Sequence, residues 1–143
     1  MVDDAKKILI VEDNLADVRL IEEAFHAQRI AIEIEHYETA SAGVRAISRY
    51  GSISQSVPDL ILLDYNLPGG YARDVLQAIN ENPALANVPR AVITCSIAPK
   101  DRERALLSGA HLFIFKPANL DDFLNEVGMA LAGLLNVRSE ITS

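Results

Sequence analysis

Consecutive aliphatic or aromatic residues stand at Ile8–Val11, Leu60–Leu63, Ala91–Ile93 and Leu112–Phe115, among other places in the chain. The first two of these fit strands buried on both faces, because a half-exposed strand alternates apolar with polar, and the other two read as further strands. Ile32-Glu-Ile-Glu-His-Tyr37 does alternate, as an edge strand would. The pattern therefore predicts strands at 6–11, 32–37, 60–64, 90–94 and 111–115. Between them the apolar period changes to that of a helix. Asn14 is a good N-cap with Val18, Ile21 and Phe25 behind it. A second helix runs from Ala40 to about Tyr50 with Val44 and Ile47 inward, and a third covers 73–80 with Val75, Leu76 and Ile79 on one side, closed by Asn82-Pro83. A fourth spans about Pro99 to Ser108, with Pro in the first turn and Gly109 terminating it. Asn119 caps the last, whose Leu120, Phe123, Leu124, Val127, Leu131 and Leu134 form a 3.6-period stripe.

Strands alternating with helices in this way point to an α/β domain, a parallel sheet covered on both faces. In doubly wound sheets, ligands gather outside the carboxyl ends of the strands, where the strand order reverses. The residues at those ends are Glu12 and Asp13 after the first strand, Asp64 after the third, Thr94 after the fourth and Lys116 after the fifth. Past Asp64, Pro68 cannot donate to a ladder and Gly69-Gly70 suit turns, so the chain leaves the sheet and exposes the carboxylate at its rim.

Composition narrows the function. A chain of 143 residues, half of them apolar and 23% charged, has the length of one domain with a real core. The expected unit is a single domain over 1–143, with its core at about 6–135 and a polar tail at 136–143. No run is long enough to cross a membrane, and the opening Met1-Val-Asp-Asp-Ala is acidic, unlike a signal peptide. With one cysteine, Cys95, no internal disulfide forms, so a cytoplasmic location is expected. The net charge of −7, without a local basic patch, speaks against nucleic-acid binding.

Clustered carboxylates repel: at 4 Å and an effective dielectric of 20, each pair costs about 4 kcal/mol, so Glu12, Asp13 and Asp64 require a proton or a cation. Mg²⁺ suits them, because it prefers oxygen ligands and is typically held by one or two carboxylates plus a substrate phosphate. Asp64 is the best candidate nucleophile, since aspartyl phosphates form when a metal and a cation neutralise the phosphoryl oxygens during in-line attack. Lys116 supplies that cation, and Thr94 can donate a hydroxyl hydrogen bond to a phosphoryl oxygen.

Taken together, Ile8-Leu-Ile-Val-Glu12-Asp13-Asn14, Leu62-Leu-Asp64-Tyr-Asn66-Leu-Pro68, Thr94-Cys-Ser96, Gly109-Ala110 and Phe113-Ile-Phe-Lys116-Pro117 resemble the receiver domain of two-component response regulators over about residues 6–132. The resemblance implies a (βα)5 flavodoxin-like fold with strand order 2-1-3-4-5, and transfer of phosphate to Asp64 from the phosphohistidine of a sensor histidine kinase. It implies that Asp13, Asp64 and the Asn66 backbone carbonyl bind Mg²⁺, with Glu12 acting mostly through water. Thr94 and Lys116 would hold the phosphoryl group, Phe113 would change rotamer on activation, and Asn66 and Ser96 would line the phosphate entrance. The Lys116-Pro117 bond is expected to be cis. The Asp13-Asn-Leu-Ala-Asp17-Val-Arg19 opening and the Asn-Leu-Pro after Asp64 resemble small, output-less regulators that partner phytochrome-type photoreceptor kinases. Two positions depart from the family: Tyr71-Ala72 where Asp-Gly or Asn-Gly is common, and Phe113 where a tyrosine would offer a hydroxyl.

Other features read more simply. Cys95 reads as a packed thiol, and His26, His36 and His111 share no metal-ligand spacing. Glu22-Glu23 and Asp101-Arg-Glu-Arg104 read as solvated helix faces. Met129, Ala130, Ala132 and Leu135 widen the last apolar stripe, pointing to a homodimer through helix 4, strand 5 and helix 5. With no residues left for an output domain, the expected output is contact with another protein. Two alternatives remain: a phosphorylation-independent adaptor, and a flavodoxin-like cofactor binder, whose flavin phosphate Glu12-Asp13 would repel.

Overall fold

A computed structural model describes residues 5–52 and 56–142, with side chains through Asn136. Its strands are β1 (Lys6–Val11), β2 (Ile32–Tyr37), β3 (Leu60–Asp64), β4 (Arg90–Thr94) and β5 (Leu112–Phe115). They form one parallel sheet in the order β2-β1-β3-β4-β5, as expected. The helices between them are α1 (Leu15–Ala27), α2 (Ala40–Arg49), α3 (Ala72–Asn80) and α4 (Pro99–Leu107).

Alternate residues of the central strands serve opposite faces, which is why their sequences are apolar throughout. Leu9, Val11, Ile61, Leu63 and Val92 pack with Ile47 of α2, Val75, Leu76 and Ile79 of α3 and Ala105 of α4. Ile8, Ile10, Leu60, Leu62, Ala91 and Ile93 face Ile21 and Phe25 of α1 and Phe123, Val127 and Leu131 of the last helical stretch. Because β1 sends its chain outward to β2 through α1 and then returns to β3, the order reverses between β1 and β3. Asp13 and Asp64 lie at that reversal.

The last helical stretch departs from its predicted regular period. One α turn, α5 (Leu120–Asp122), passes into a π-helical stretch (Phe123–Val127) and continues as α6 (Gly128–Thr142), which takes in most of the stretch set apart as a polar tail. The wider π turn holds an extra residue and shifts the helix phase. Leu120, predicted inward, is exposed, while Phe123, Val127, Leu131, Leu134 and Leu135 are buried. Leu135 thus belongs to the core, and Met129 stays exposed.

Three further expectations are corrected. Cys95 is exposed, because it lies one residue beyond the end of β4, in the loop rather than the sheet. Among the described residues no peptide bond is cis, so Lys116-Pro117 is trans; the two isomers of a bond before proline differ by only about 1 kcal/mol, and local context selects between them. Asp101 is not a solvated helix residue: half-buried, it accepts a hydrogen bond from Ser96 Oγ at 2.5 Å.

Arg90, the first residue of β4, is buried, and its guanidinium donates to the carbonyls of Leu85 (2.8 Å) and Val88 (2.6 and 3.1 Å) and to Asn80 Oδ1 (3.1 Å). These bonds knit the end of α3 and the turn after it to the foot of the sheet, away from the acidic rim. Arg90→Met should leave those carbonyls without donors and lower stability by about 2–3 kcal/mol, seen as a lower urea midpoint at unchanged slope. An unchanged midpoint would mean that water replaces the guanidinium without cost.

Candidate functional site

The carboxyl ends of β1 and β3 bring Glu12, Asp13 and Asp64 together: one carboxylate oxygen from each lies within 4.8 Å of the others. Each is placed by local structure. Glu12 is 1% exposed, its Oε2 accepts the Asn14 N–H at 3.1 Å, and its carbonyl oxygen accepts from His36 Nε2 at 2.6 Å, so β2 braces the loop from outside. Asn14 then caps α1 through Ala16 and Asp17. Asp64 Oδ1 accepts the Asn66 N–H at 3.1 Å, which folds the chain sharply out of the sheet. Gly69, at φ +71°, continues that turn; a Cβ there would meet the Thr39 side chain at 3.1 Å, and Pro68 O receives the Ala40 N–H at 3.0 Å.

Lys116 enters from beyond β5, 6% exposed, with its backbone N–H on the Thr94 carbonyl at 2.8 Å. Its Nζ donates to Asp17 Oδ2 at 2.7 Å, Glu12 Oε1 at 2.9 Å and Asp64 Oδ2 at 3.2 Å. Burial works against the Lys116 charge, but hydrogen bonds to Asp17 and Glu12 and the charges of Asp64 and Glu12 outweigh it and hold the pKa above the ordinary lysine range. Burial pushes the Glu12 carboxyl up to about 7, opposed by the bonds from Lys116 and the Asn14 N–H and reinforced by the Asp64 charge.

The predicted residues fall into two sets. Glu12, Asp13, Asp64 and Lys116 meet in one acidic cup, with Asn66 anchored to Asp64. Thr94 is fully buried beside them, but its Oγ1 accepts the Ser96 N–H at 3.1 Å. Ser96 is turned toward α4 through Asp101. Phe113 lies against the α3/α4 side of the core, edge-on to Tyr65 with centroids 6.1 Å apart. The cup opens onto a cavity of about 940 Å³ lined by Asp13, Asn66, Pro68, Arg73, Asp101 and Arg104. Asp17, which contacts Lys116 most closely, was missed as a site residue. In the sequence it stands out only as part of the Asp13–Arg19 opening, which carries no sign of a contact with Lys116.

An acidic cup at the switch point of a parallel (βα)5 sheet, spanned by one buried lysine, defines the receiver class of signalling domains. The chain belongs to the response regulator receiver domain family, whose profile matches residues 8–128. It is 34% identical over 123 residues to response regulator Rcp1 of Synechocystis, covering 85% of this chain and 84% of that one. The solved structure of the phosphorylated cyanobacterial phytochrome response regulator RcpA superposes with a TM-score of 0.80 at 33% identity, covering 93% of this chain and 96% of that chain. The Mn²⁺-bound form of Rcp1 superposes with a TM-score of 0.77 at 33% identity, over 91% and 94% of the two chains. The chain is therefore a two-component signalling protein and not a conventional enzyme; its family works with sensor histidine kinases and binds divalent metal. Family membership sets aside the flavin-binding alternative. No described helix is long and apolar enough to cross a membrane.

The donor set fits a hard divalent ion: three carboxylates converge, and the one lysine among them offsets only one charge. Below about pH 7 much of Glu12 is protonated, and a cation gains little from a neutral carboxyl until the proton is expelled. Divalent-ion affinity measured by calorimetry should therefore rise with pH up to about 7, with proton release, and level off above it. Affinity flat from pH 5 upward would show Glu12 already ionised.

Proposed function

We propose that Asp64 is the phosphoacceptor of a response regulator switched by a sensor histidine kinase. The observation that supports this most strongly is the Lys116 ammonium on Asp64 Oδ2, beside two further carboxylates at the strand-order reversal. In this reading Asp13, Asp64 and the Asn66 backbone carbonyl hold Mg²⁺, with Glu12 acting through water. Bound Mg²⁺ would supply neutralisation of phosphoryl oxygen charge.

The chain's own residues do the rest. An Asp64 carboxylate oxygen forms the O–P bond as the donor's P–N bond breaks, and the electron pair of that bond stays on the departing imidazole. Lys116 pairs with a phosphoryl oxygen, and Thr94 turns its hydroxyl to another. Asn66 and Ser96 flank the approach, and Phe113 follows Thr94 by changing rotamer. The added group carries about −1.5 to −2 charges, enough to bias a two-state element.

The kinase we favour is a phytochrome-type photoreceptor, on the strength of the likeness to Rcp1 and RcpA, and the meeting place is the cytoplasm. The output is contact with another protein. Purified protein with Mg²⁺ and acetyl phosphate should gain one acid-labile phosphoryl group, measured by intact-protein mass, and Asp64→Asn should abolish it. Equal labelling of the variant would defeat the acceptor assignment, and a wild type that never labels would favour an adaptor that works without phosphorylation.

We also read α4, β5 and α6 as a homodimer face, since Leu107, Leu112, Phe115 and Met129 are exposed there. Phe115→Glu should shift the sedimentation equilibrium from dimer to monomer. A wild type that sediments as a monomer at every concentration removes this face from the reading.

A further inference from the structure

Asp17 lies in the first turn of α1, where the Asn14 cap fixes it: its N–H reaches the Asn14 carbonyl at 3.0 Å and Oδ1 at 3.3 Å. An ammonium has three N–H donors, and Lys116 gives one to each of three carboxylates. The order of lengths is informative. The bond to Asp17 is the shortest at 2.7 Å, and the bond to Asp64 is the longest at 3.2 Å. Asp17 is absent from the group of acids whose oxygens could share one cation, which comprises Glu12, Asp13 and Asp64. Its contact with the site is therefore made through the lysine.

We propose that Asp17 is a positioning residue that draws the Lys116 ammonium off Asp64, leaving the Asp64 carboxylate available to a divalent ion and to phosphorus. The proposal rests on the reading of Asp64 as acceptor. Without the Asp17 charge, the same three donors divide between Glu12 and Asp64. The ammonium closes on Asp64, and a cation then competes with it for the same oxygens. Asp17 touches neither the ion nor the phosphoryl group.

A double-mutant cycle on the full chain separates this from simple charge attraction. Calorimetric titration with Mg²⁺ compares wild type, Asp17→Asn, Lys116→Met and the double variant. Asp17→Asn should weaken Mg²⁺ binding about tenfold, as loss of a ligand-orienting partner does. With Met at 116 the same substitution should change it by no more than about twofold, because a partly exposed charge acting alone is screened. Equal losses in both backgrounds, or no loss in either, overturn the proposal. Should Lys116→Met fail to fold, Asp17→Asn alone decides: its acetyl-phosphate labelling deficit should vanish at saturating Mg²⁺, and a deficit that persists there overturns the inference. A wild type that binds no Mg²⁺, or an Asp64→Asn variant that labels normally, removes the underlying reading as well. An additive cycle in protein that binds and labels normally removes Asp17 alone.

Discussion

A buried ammonium must find acceptors, and Lys116 finds three, on Glu12, Asp17 and Asp64. Taking such a charge out of water costs several kcal/mol unless geometry and hydrogen bonds compensate it. The lysine therefore ties the end of β5 to the ends of β1 and β3 and to the first turn of α1. The converse also holds. Glu12 could not remain almost wholly buried as an ion without the lysine, and even with it the carboxyl is pushed up to about 7. One cation among Glu12, Asp13, Asp17 and Asp64 leaves an excess of negative charge, and that excess is what a divalent ion matches. The same feature thus makes the cup stable enough to fold and unsatisfied enough to bind.

The sheet provides the rigidity this requires. β1, β3 and β4 are apolar on both faces, so their register is held from two sides and their carboxyl ends cannot slide independently. Polar groups are confined to the rim, where loops begin. Backbone bonds then set each loop's direction: the Asn66 N–H on Asp64, the Asn14 N–H on Glu12, and the Lys116 N–H on the Thr94 carbonyl. Functional side chains are presented by the last ordered residue of a strand or the first of a loop, positions that combine precision with access.

That arrangement explains what could be read from the sequence. Consecutive apolar residues identify the strands, buried on both faces at β1 and β3 and half-exposed at the β5 edge, and the carboxyl-end rule then selects Glu12, Asp13, Asp64, Thr94 and Lys116 without knowledge of any distance. Asp17 escaped because its role depends on the rotational phase of α1 relative to a lysine 99 residues away, which no local pattern encodes. The π stretch escaped for a related reason. A Cβ at Gly128 would sit 2.9 Å from the Ala24 carbonyl oxygen, so the fit of α6 against α1 is set by a close approach between distant segments, while apolar spacing alone predicts a regular helix. The burial of Arg90 has no mark in the sequence either, because its carbonyl partners at Leu85 and Val88 come beside it only once the preceding turn is folded.

If Asp64 is the acceptor proposed above, an added charge there reaches the surface through a short run of hydrogen bonds. Thr94 Oγ1 holds the Ser96 N–H, Ser96 Oγ holds Asp101, and Asp101 stands in the first turn of α4. In the proposed switch a Thr94 hydroxyl that turns toward Asp64 gives up its place at the Ser96 N–H, and Ser96 Oγ also receives the Ala98 N–H just ahead of that helix. The start of α4 is therefore fastened to the site by hydrogen bonds, while its contact with the core lies farther along, at buried Ala105 and partly buried Leu106. A helix held this way responds to a rearranged hydrogen bond more readily than one anchored by a broad apolar face, such as α1 with Val18, Ile21, Ala24 and Phe25. The exposed Leu107 rides on α4 and the exposed Phe115 on the neighbouring β5, so an element tied to the site by hydrogen bonds also carries and borders exposed apolar side chains.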